Sequence, residues 1–185
     1  MLLAIPKWAI YEEVHMAIEI ERKFLVVGDG WRTSDGVLYR QGYLNRDKMR
    51  TVRVRQAGDQ AFLTIKGKTT GISRAEFEYS IPVTEAQDLL ALCDGGLIEK
   101  IRHKITYAGL LWEIDEFLGD NAGLVVAEVE LKSAEQAIEL PVWVGVEVSD
   151  DAKYYNSNLS TYPFSSWMAQ DAERMLERSG VAGIA

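Results

Sequence analysis

Residues alternate with period two along eight short stretches of this chain; seven of them place charges on one face, and within most of those the charges share one sign. Alternation with period two marks strands whose two faces differ. The stretches lie near residues 17–27, 37–45, 50–56, 61–67, 74–82, 99–107, 110–118 and 124–132. Glu19, Glu21 and Lys23 alternate with Ile18, Ile20 and Phe24; only Arg22 breaks the pattern. Arg53 and Arg55 alternate with Val52 and Val54, and Lys66 shares a face with Thr64. Glu76 and Glu78 alternate with Phe77 and Tyr79; Lys100, Arg102 and Lys104 with Ile101 and Ile105. Glu113 and Asp115 follow the same rule, as do Glu128 and Glu130.

On an ordinary solvated sheet face the two signs intersperse, because neighbouring like charges repel. Here acids and bases are sorted strand by strand, which is unfavourable unless the face binds something that neutralises both sets. Carboxylate pairs suit hard divalent cations, and arginine and lysine sets suit phosphate oxygens. A metal–polyphosphate complex meets both demands together. The apolar alternates form the opposite face and need cover from helices or loops. The chain is therefore expected to be mainly β: an eight-stranded antiparallel barrel, closed or nearly so, with a charged, wet lumen and helices packed outside.

Turn residues separate the strands at Gly58-Asp59, Gly67, Gly71, Gly109 and Gly119-Asp120-Asn121. A helix is predicted where Thr84 and Gln87 make a capping box before Leu89 and Leu90, with Gly95-Gly96 as its stop. A second short helix is predicted from Ser133 and Gln136. Near the C-terminus Phe164, Trp167, Met168, Asp171, Ala172 and Met175 follow helical spacing as a packing face.

The length of 185 residues suits one domain. Residues 16–178 are read as that domain, 179–185 as a tail, and 1–15 as an extension preceding a start at Met16. Neither a signal peptide nor a membrane span is predicted. The net charge of -8 argues against nucleic acid or membrane partners. A single cysteine, Cys93, fits a reducing, cytoplasmic setting and an inert core thiol. His103 falls on the apolar register and is expected to pack. No Ser/His/Asp set and no G-x-x-x-x-G-K-[ST] loop is present, so phosphate binding would rest on side chains.

From Glu19-Ile20-Glu21-Arg22-Lys23 onward the chain resembles the triphosphate tunnel metalloenzymes, the superfamily named after class IV adenylyl cyclase and thiamine triphosphatase. The likeness runs in order through Arg40–Leu44 (RQGYL), Arg53 and Arg55, TIKG around Lys66, and RAEFEY at Arg74–Tyr79. It continues through EKIRHKI from Glu99, WEIDEF from Trp112 and AEVEL from Ala127, and ends in residues 147–160. Short bacterial inorganic triphosphatases are the most similar members in length and motifs. The resemblance implies Glu19, Glu21, Glu128 and Glu130 as metal ligands, with Glu76, Glu78 and Asp115 supporting them and Mg²⁺ or Mn²⁺ as the ions. Lys23, Arg53, Arg55, Lys66, Lys100, Arg102 and Lys153 would bind phosphate. Glu21, Lys100 and Tyr43 stand at the positions expected to serve catalysis, Tyr43 where such members place a proposed proton acceptor. The implied reaction is metal-assisted hydrolysis of a triphosphate, foremost inorganic tripolyphosphate. Cyclisation of ATP, hydrolysis of thiamine triphosphate and non-catalytic polyphosphate binding are the rival readings. Tyr39, Trp143, Tyr154 and Tyr155 are the aromatic candidates for a base or thiazolium site.

Overall fold

The computed structural model describes residues 17–33 and 35–167. The expected extension at 1–15, the start at Met16, the tail at 179–185 and the C-terminal stripe beyond Trp167 lie outside them. Nine strands form one sheet: β1 (Ala17–Val26), β2 (Val37–Asn45), β3 (Arg50–Ala57), β4 (Gln60–Gly67), β5 (Ser73–Ile81), β6 (Asp94–Tyr107), β7 (Leu110–Phe117), β8 (Val125–Glu130) and β9 (Val144–Glu147). Their order is β5-β4-β3-β2-β6-β7-β8-β1-β9, with a further pairing of β5 to β1 that closes the first eight into a barrel. All pairings are antiparallel.

β1 is the closing strand. One edge of it meets β8, whereas the other is shared, Ala17–Ile20 pairing with β5 and Phe24–Val26 with β9. Hairpins supply the tight connections. Ala108 and Gly109 turn β6 into β7 with φ of 48° and 78°, the mirror-image turn whose twist matches that of the flanking strands. Gly58 does the same between β3 and β4 at φ 57°.

The apolar alternates point outward, as the pattern predicts. Phe24, Trp112, Ile114, Ala127 and Val129 form an external core on β1, β7 and β8, covered by Trp31 and Trp143 from loops. Trp31 and Trp112 are 1% and 0% exposed; burying a large apolar side chain contributes about 1.5–3 kcal/mol. His103 packs edge-on to Trp31 with ring centroids 5.0 Å apart, so the expected packing role is what the structure shows. On the far side α1 (Val83–Ala91) lays Ala86 and Leu90 against Val54 and Ala61.

A third cluster closes one end of the barrel. Ile98, Phe117 and Val126 continue the lumen-facing rows of β6, β7 and β8. Leu159 of α2 (Asn156–Leu159), Phe164 and Trp167 pack against them. The C-terminal segment thus stoppers the tunnel with hydrocarbon, turning it into a cup.

Three local expectations need correction. α1 is capped at Pro82 without a side-chain hydrogen bond, so Thr84 lies inside the helix and no capping box forms. Gly95-Gly96 do not stop it, because α1 ends at Ala91 and the glycines belong to β6. There they form a bulge: Gln41 pairs with Ile98 but Tyr43 with Asp94. A Cβ on Gly42 would sit 2.7 Å from Leu97 and 2.8 Å from Cys93, an approach only glycine permits. Ser133 to Gln136 make a single turn rather than a helix, closed by the Gln136 amide on the Ser133 carbonyl; the Gln136 side chain accepts from the Lys132 amide. The strand Val144–Glu147 was not expected at all.

Candidate active site

The lumen holds a cavity of about 630 Å³. Its wall carries eight basic side chains (Lys23, Arg53, Arg55, Lys66, Arg74, Arg102, Lys104 and Lys132) and seven acidic ones (Glu19, Glu21, Glu76, Glu78, Glu113, Glu128 and Glu130). Pleat and register bring them there. Glu21 faces Glu130 and Lys23 faces Glu128 across β1 and β8, while Glu76 faces Lys66 and Glu78 faces Thr64 across β4 and β5. One sidedness per strand, closed into a ring, turns seven separate charged stripes and the tyrosines of β2 into one site.

The wall charges pair among themselves. Lys23 Nζ lies 2.5 Å from Glu128 and 2.7 Å from Glu21. Burial lowers the Lys23 pKa, but Glu128 and Glu21 outweigh it and raise the ammonium above its usual range. Lys66 Nζ donates to Glu19 at 2.8 Å and lies 3.1 Å from Glu76; Arg74 Nε donates to Glu19 at 2.8 Å. Burial drives the Glu19 carboxyl upward, yet Lys66 and Arg74 beside it hold it at about 2. Arg55 donates to Glu78 at 2.8 Å, and Arg53 to Thr64 Oγ1 at 3.2 Å.

Two carboxylates are pushed the other way. Glu130 is raised by burial and by Glu19, Glu21 and Glu113 around it, and it has no ion pair among the described residues. Glu76 is raised by burial and by Glu19, against the pull of Lys66. Cations are crowded in the same way: burial and Arg53 lower both Arg55 and Lys66. Acids repelling acids and bases repelling bases on one wet wall are what a bound metal–anion complex relieves.

A second group lies deeper. Asp115, 0% exposed, accepts Lys100 Nζ at 2.5 Å and both Nε and Nη2 of Arg102 at 2.6 Å. Arg102 also donates to Glu128 at 2.8 Å and to Glu113. Burial and Arg102 lower Lys100 to about 8. Of this group only Arg102 reaches the cavity wall; Lys100 and Asp115 lie behind it.

The wall thus gathers Glu19, Glu21, Lys23, Tyr43, Arg53, Arg55, Lys66, Glu76, Glu78, Arg102, Glu128 and Glu130 in one cavity. It does not gather Lys100, Asp115 or Lys153. Lys153 sits outside, its Nζ 5.0 Å and 5.2 Å from the ring centres of Tyr154 and Trp167. The Tyr43 phenol is pushed up by burial, which Arg53, Arg74 and Lys23 only partly offset. Among the aromatic candidates Tyr39 and Tyr155 line the cavity, while Trp143 belongs to the external core. Arg74 and Glu113 escaped the sequence-based site list although both share the lumen parity of their neighbours, a signal that was available.

Among the described residues no three carboxylate, imidazole or thiol groups converge closely enough to hold a metal ion as they stand. The donor chemistry nevertheless fits a hard divalent cation: every candidate is a carboxylate, and the two pushed upward border the Glu19–Glu21 pair. No helix among the described residues is long and apolar enough to cross a membrane.

Comparison with known proteins agrees with this geometry. The chain is 50% identical over 154 residues to the inorganic triphosphatase of Acetivibrio thermocellus, spanning 82% of this chain and 99% of that protein. It is 40% identical over 147 residues to the inorganic triphosphatase of Nitrosomonas europaea, spanning 77% and 96%. A crystal structure of an inorganic triphosphatase superposes with a TM-score of 0.57 at 38% identity, over 79% of this chain and 96% of that one. Residues 17–161 match the CYTH domain, and the chain belongs to the CYTH-domain family.

Proposed function

We propose that this chain is a metal-dependent triphosphatase that hydrolyses inorganic tripolyphosphate to pyrophosphate and phosphate. The observation that carries the reading is the cavity wall, where seven carboxylates and eight cations from different strands are gathered around one closed-ended lumen. A nearly balanced wall suits a substrate that arrives with its own cations. The names of the relatives point to the same substrate.

Glu19, Glu21 and Glu130, with Glu76 and Glu128 beside them, would hold the ions. Bound Mg²⁺ or Mn²⁺, two ions by our reading, would supply positive charge on the phosphoryl oxygens and a water of lowered pKa. Lys23, Arg53, Arg55, Lys66, Arg74 and Arg102 would take the phosphate oxygens as their carboxylate partners turn to the ions. Their charge stabilises the equatorial and leaving oxygens as the terminal P–O bond breaks and water oxygen bonds to phosphorus. Tyr43, kept protonated by burial, donates a hydrogen bond to a phosphoryl oxygen rather than accepting a proton. Asp115 and Lys100 orient Arg102 from behind.

The test is a panel of inorganic tripolyphosphate, ATP and thiamine triphosphate with Mg²⁺, with Mn²⁺ and with chelator, scoring orthophosphate and cyclic AMP. Orthophosphate release, fastest from tripolyphosphate and abolished by chelator, is expected. Cyclic AMP as the main product from ATP would sink the proposal, as would metal-dependent binding without turnover.

A further inference from the structure

Arg55 stands between two aromatic rings. It lies on β3, with Tyr39 on the neighbouring strand β2 and Phe62 on the other neighbour, β4. Phe62 is its direct cross-strand partner; Tyr39 is diagonal to it, facing Ala57 two residues on. The Arg55 Cζ lies 5.6 Å from the ring centre of Tyr39 and 5.5 Å from that of Phe62. Arg55 and Tyr39 both line the cavity. The Tyr39 ring also meets Arg102, whose Cζ is 5.2 Å from its centre.

These two arginines are otherwise held by unequal means. Arg102 donates to Asp115, Glu128 and Glu113. Arg55 has one carboxylate, Glu78, and reaches it through Nη2 alone. Its Nε–H is buried and has no hydrogen-bond partner among the described residues. Burial and then Arg53 lower the pKa of the Arg55 guanidinium, with Glu78 opposing them. A carboxylate partner competes with phosphate for the N–H groups it accepts. A ring face does not compete, because it attracts the cation through the aromatic quadrupole. When phosphate takes the place of Glu78, both rings can still hold the guanidinium where it is.

We propose that Tyr39 and Phe62 are positioning residues for Arg55. The two rings fix its guanidinium on the lumen wall and leave its N–H groups to donate to a phosphoryl oxygen. Neither ring has to touch the substrate. This inference rests on the triphosphatase reading, in which Arg55 binds phosphate.

Tyr39→Leu and Phe62→Leu each remove one ring, Tyr39→Phe keeps the ring without its hydroxyl, and Arg55→Met removes the cation. The readouts are KM and kcat for tripolyphosphate, and the melting temperature with and without tripolyphosphate and Mg²⁺. Each leucine variant should raise KM about 10-fold, within reach of one desolvated cation–π contact. Its kcat should stay within about 3-fold, the pattern of lost uniform binding, and its ligand-induced rise in melting temperature should shrink. Tyr39→Phe should keep KM within about 2-fold of wild type. On the Arg55→Met background neither leucine substitution should raise KM further, because the rings act through the arginine. An equal loss in Tyr39→Phe and Tyr39→Leu would assign the effect to the hydroxyl and refute the inference. An unchanged KM in a folded leucine variant would refute it, as would a further rise on the Arg55→Met background. If one leucine variant fails to fold, the other decides; if both fail, the rings serve the fold and the inference is refuted. Wild-type protein neither stabilised nor turned over by tripolyphosphate would instead bring down the functional reading beneath it.

Discussion

Lys100 and Arg102 at the base of the tunnel and Lys66 and Arg74 higher on its wall are the same kinds of residue on the same lumen face, yet they are used differently. At the base, Asp115 spends both oxygens on Lys100 and Arg102 and none of the three shows more than 6% exposure. Around Glu19 the pairing is looser. Lys66 is divided between Glu19 and Glu76, Arg74 between Glu19 and Glu21, and Glu130 opposite Glu21 has no ion pair among the described residues. The base is a polar network that ties the adjacent strands β6, β7 and β8 together and presents Arg102 to the cavity. The upper wall is left with like charges in contact, which is the state a ligand improves. Position in the barrel, rather than residue type, separates Lys100 and Asp115, held behind the wall, from Arg102 and the other charges that line it.

The largest effect that could break this contrast is at the base. Asp115→Ala leaves two buried cations short of their shared carboxylate and should cost about 3–5 kcal/mol in urea denaturation. A loss below about 1 kcal/mol would put Asp115 among the working charges instead. Next comes Glu21→Gln on the upper wall. It should lower tripolyphosphate turnover at least about 100-fold, close to 2.7 kcal/mol in the barrier. The cost to stability should stay within about 1 kcal/mol, since the pairs it loses are only partly buried. Turnover near wild type would remove Glu21 from the proposed ion-binding set.

Titration should split the two regions by pH. Lys100 is lowered from 10.5 to about 8 in the folded chain, so between those values the unfolded state binds more protons and stability rises with pH. Glu19 is lowered from 4.5 to about 2, so its contribution is complete above 4.5 and is lost as pH falls through about 2. Denaturation curves across both windows should show the alkaline rise flattened in Lys100→Met and the acid loss flattened in Glu19→Gln. Any crossing of those assignments would count against two independent networks. The smallest effect belongs to Lys153→Ala. With its ammonium stacked on Tyr154 and Trp167 outside the cavity, it should cost about 0.5–1 kcal/mol of stability and leave KM for tripolyphosphate within about 2-fold. A KM raised about 10-fold or more would return Lys153 to the phosphate-binding set.

Alternation made the eight barrel strands legible, because each repeats the period-two pattern over at least six residues and the charge sorting reinforces it. The ninth strand was not legible: Val144-Gly145-Val146-Glu147 is short, contains a glycine, and exists only because β1 leaves an edge free beyond β5. Thr84 with Gln87 and Ser133 with Gln136 have capping spacing, but spacing alone cannot say which residue is the first to leave the helix. At the first site Pro82 takes that place. Gly95-Gly96 looked like a helix stop and is a strand bulge, since the same φ freedom serves both.

By itself the sequence determined which residues share the lumen, because side-chain parity along a strand is a local property of an extended backbone. It also determined the chemistry of that lumen, because acids and bases were already sorted by strand. Depth was decided only by the tertiary structure. Asp115 became a buried anchor, Glu130 a mouth carboxylate and Lys153 an external stacking partner through strand register, barrel closure and the C-terminal plug. Those are relations between segments far apart in the chain, and no local pattern encodes them.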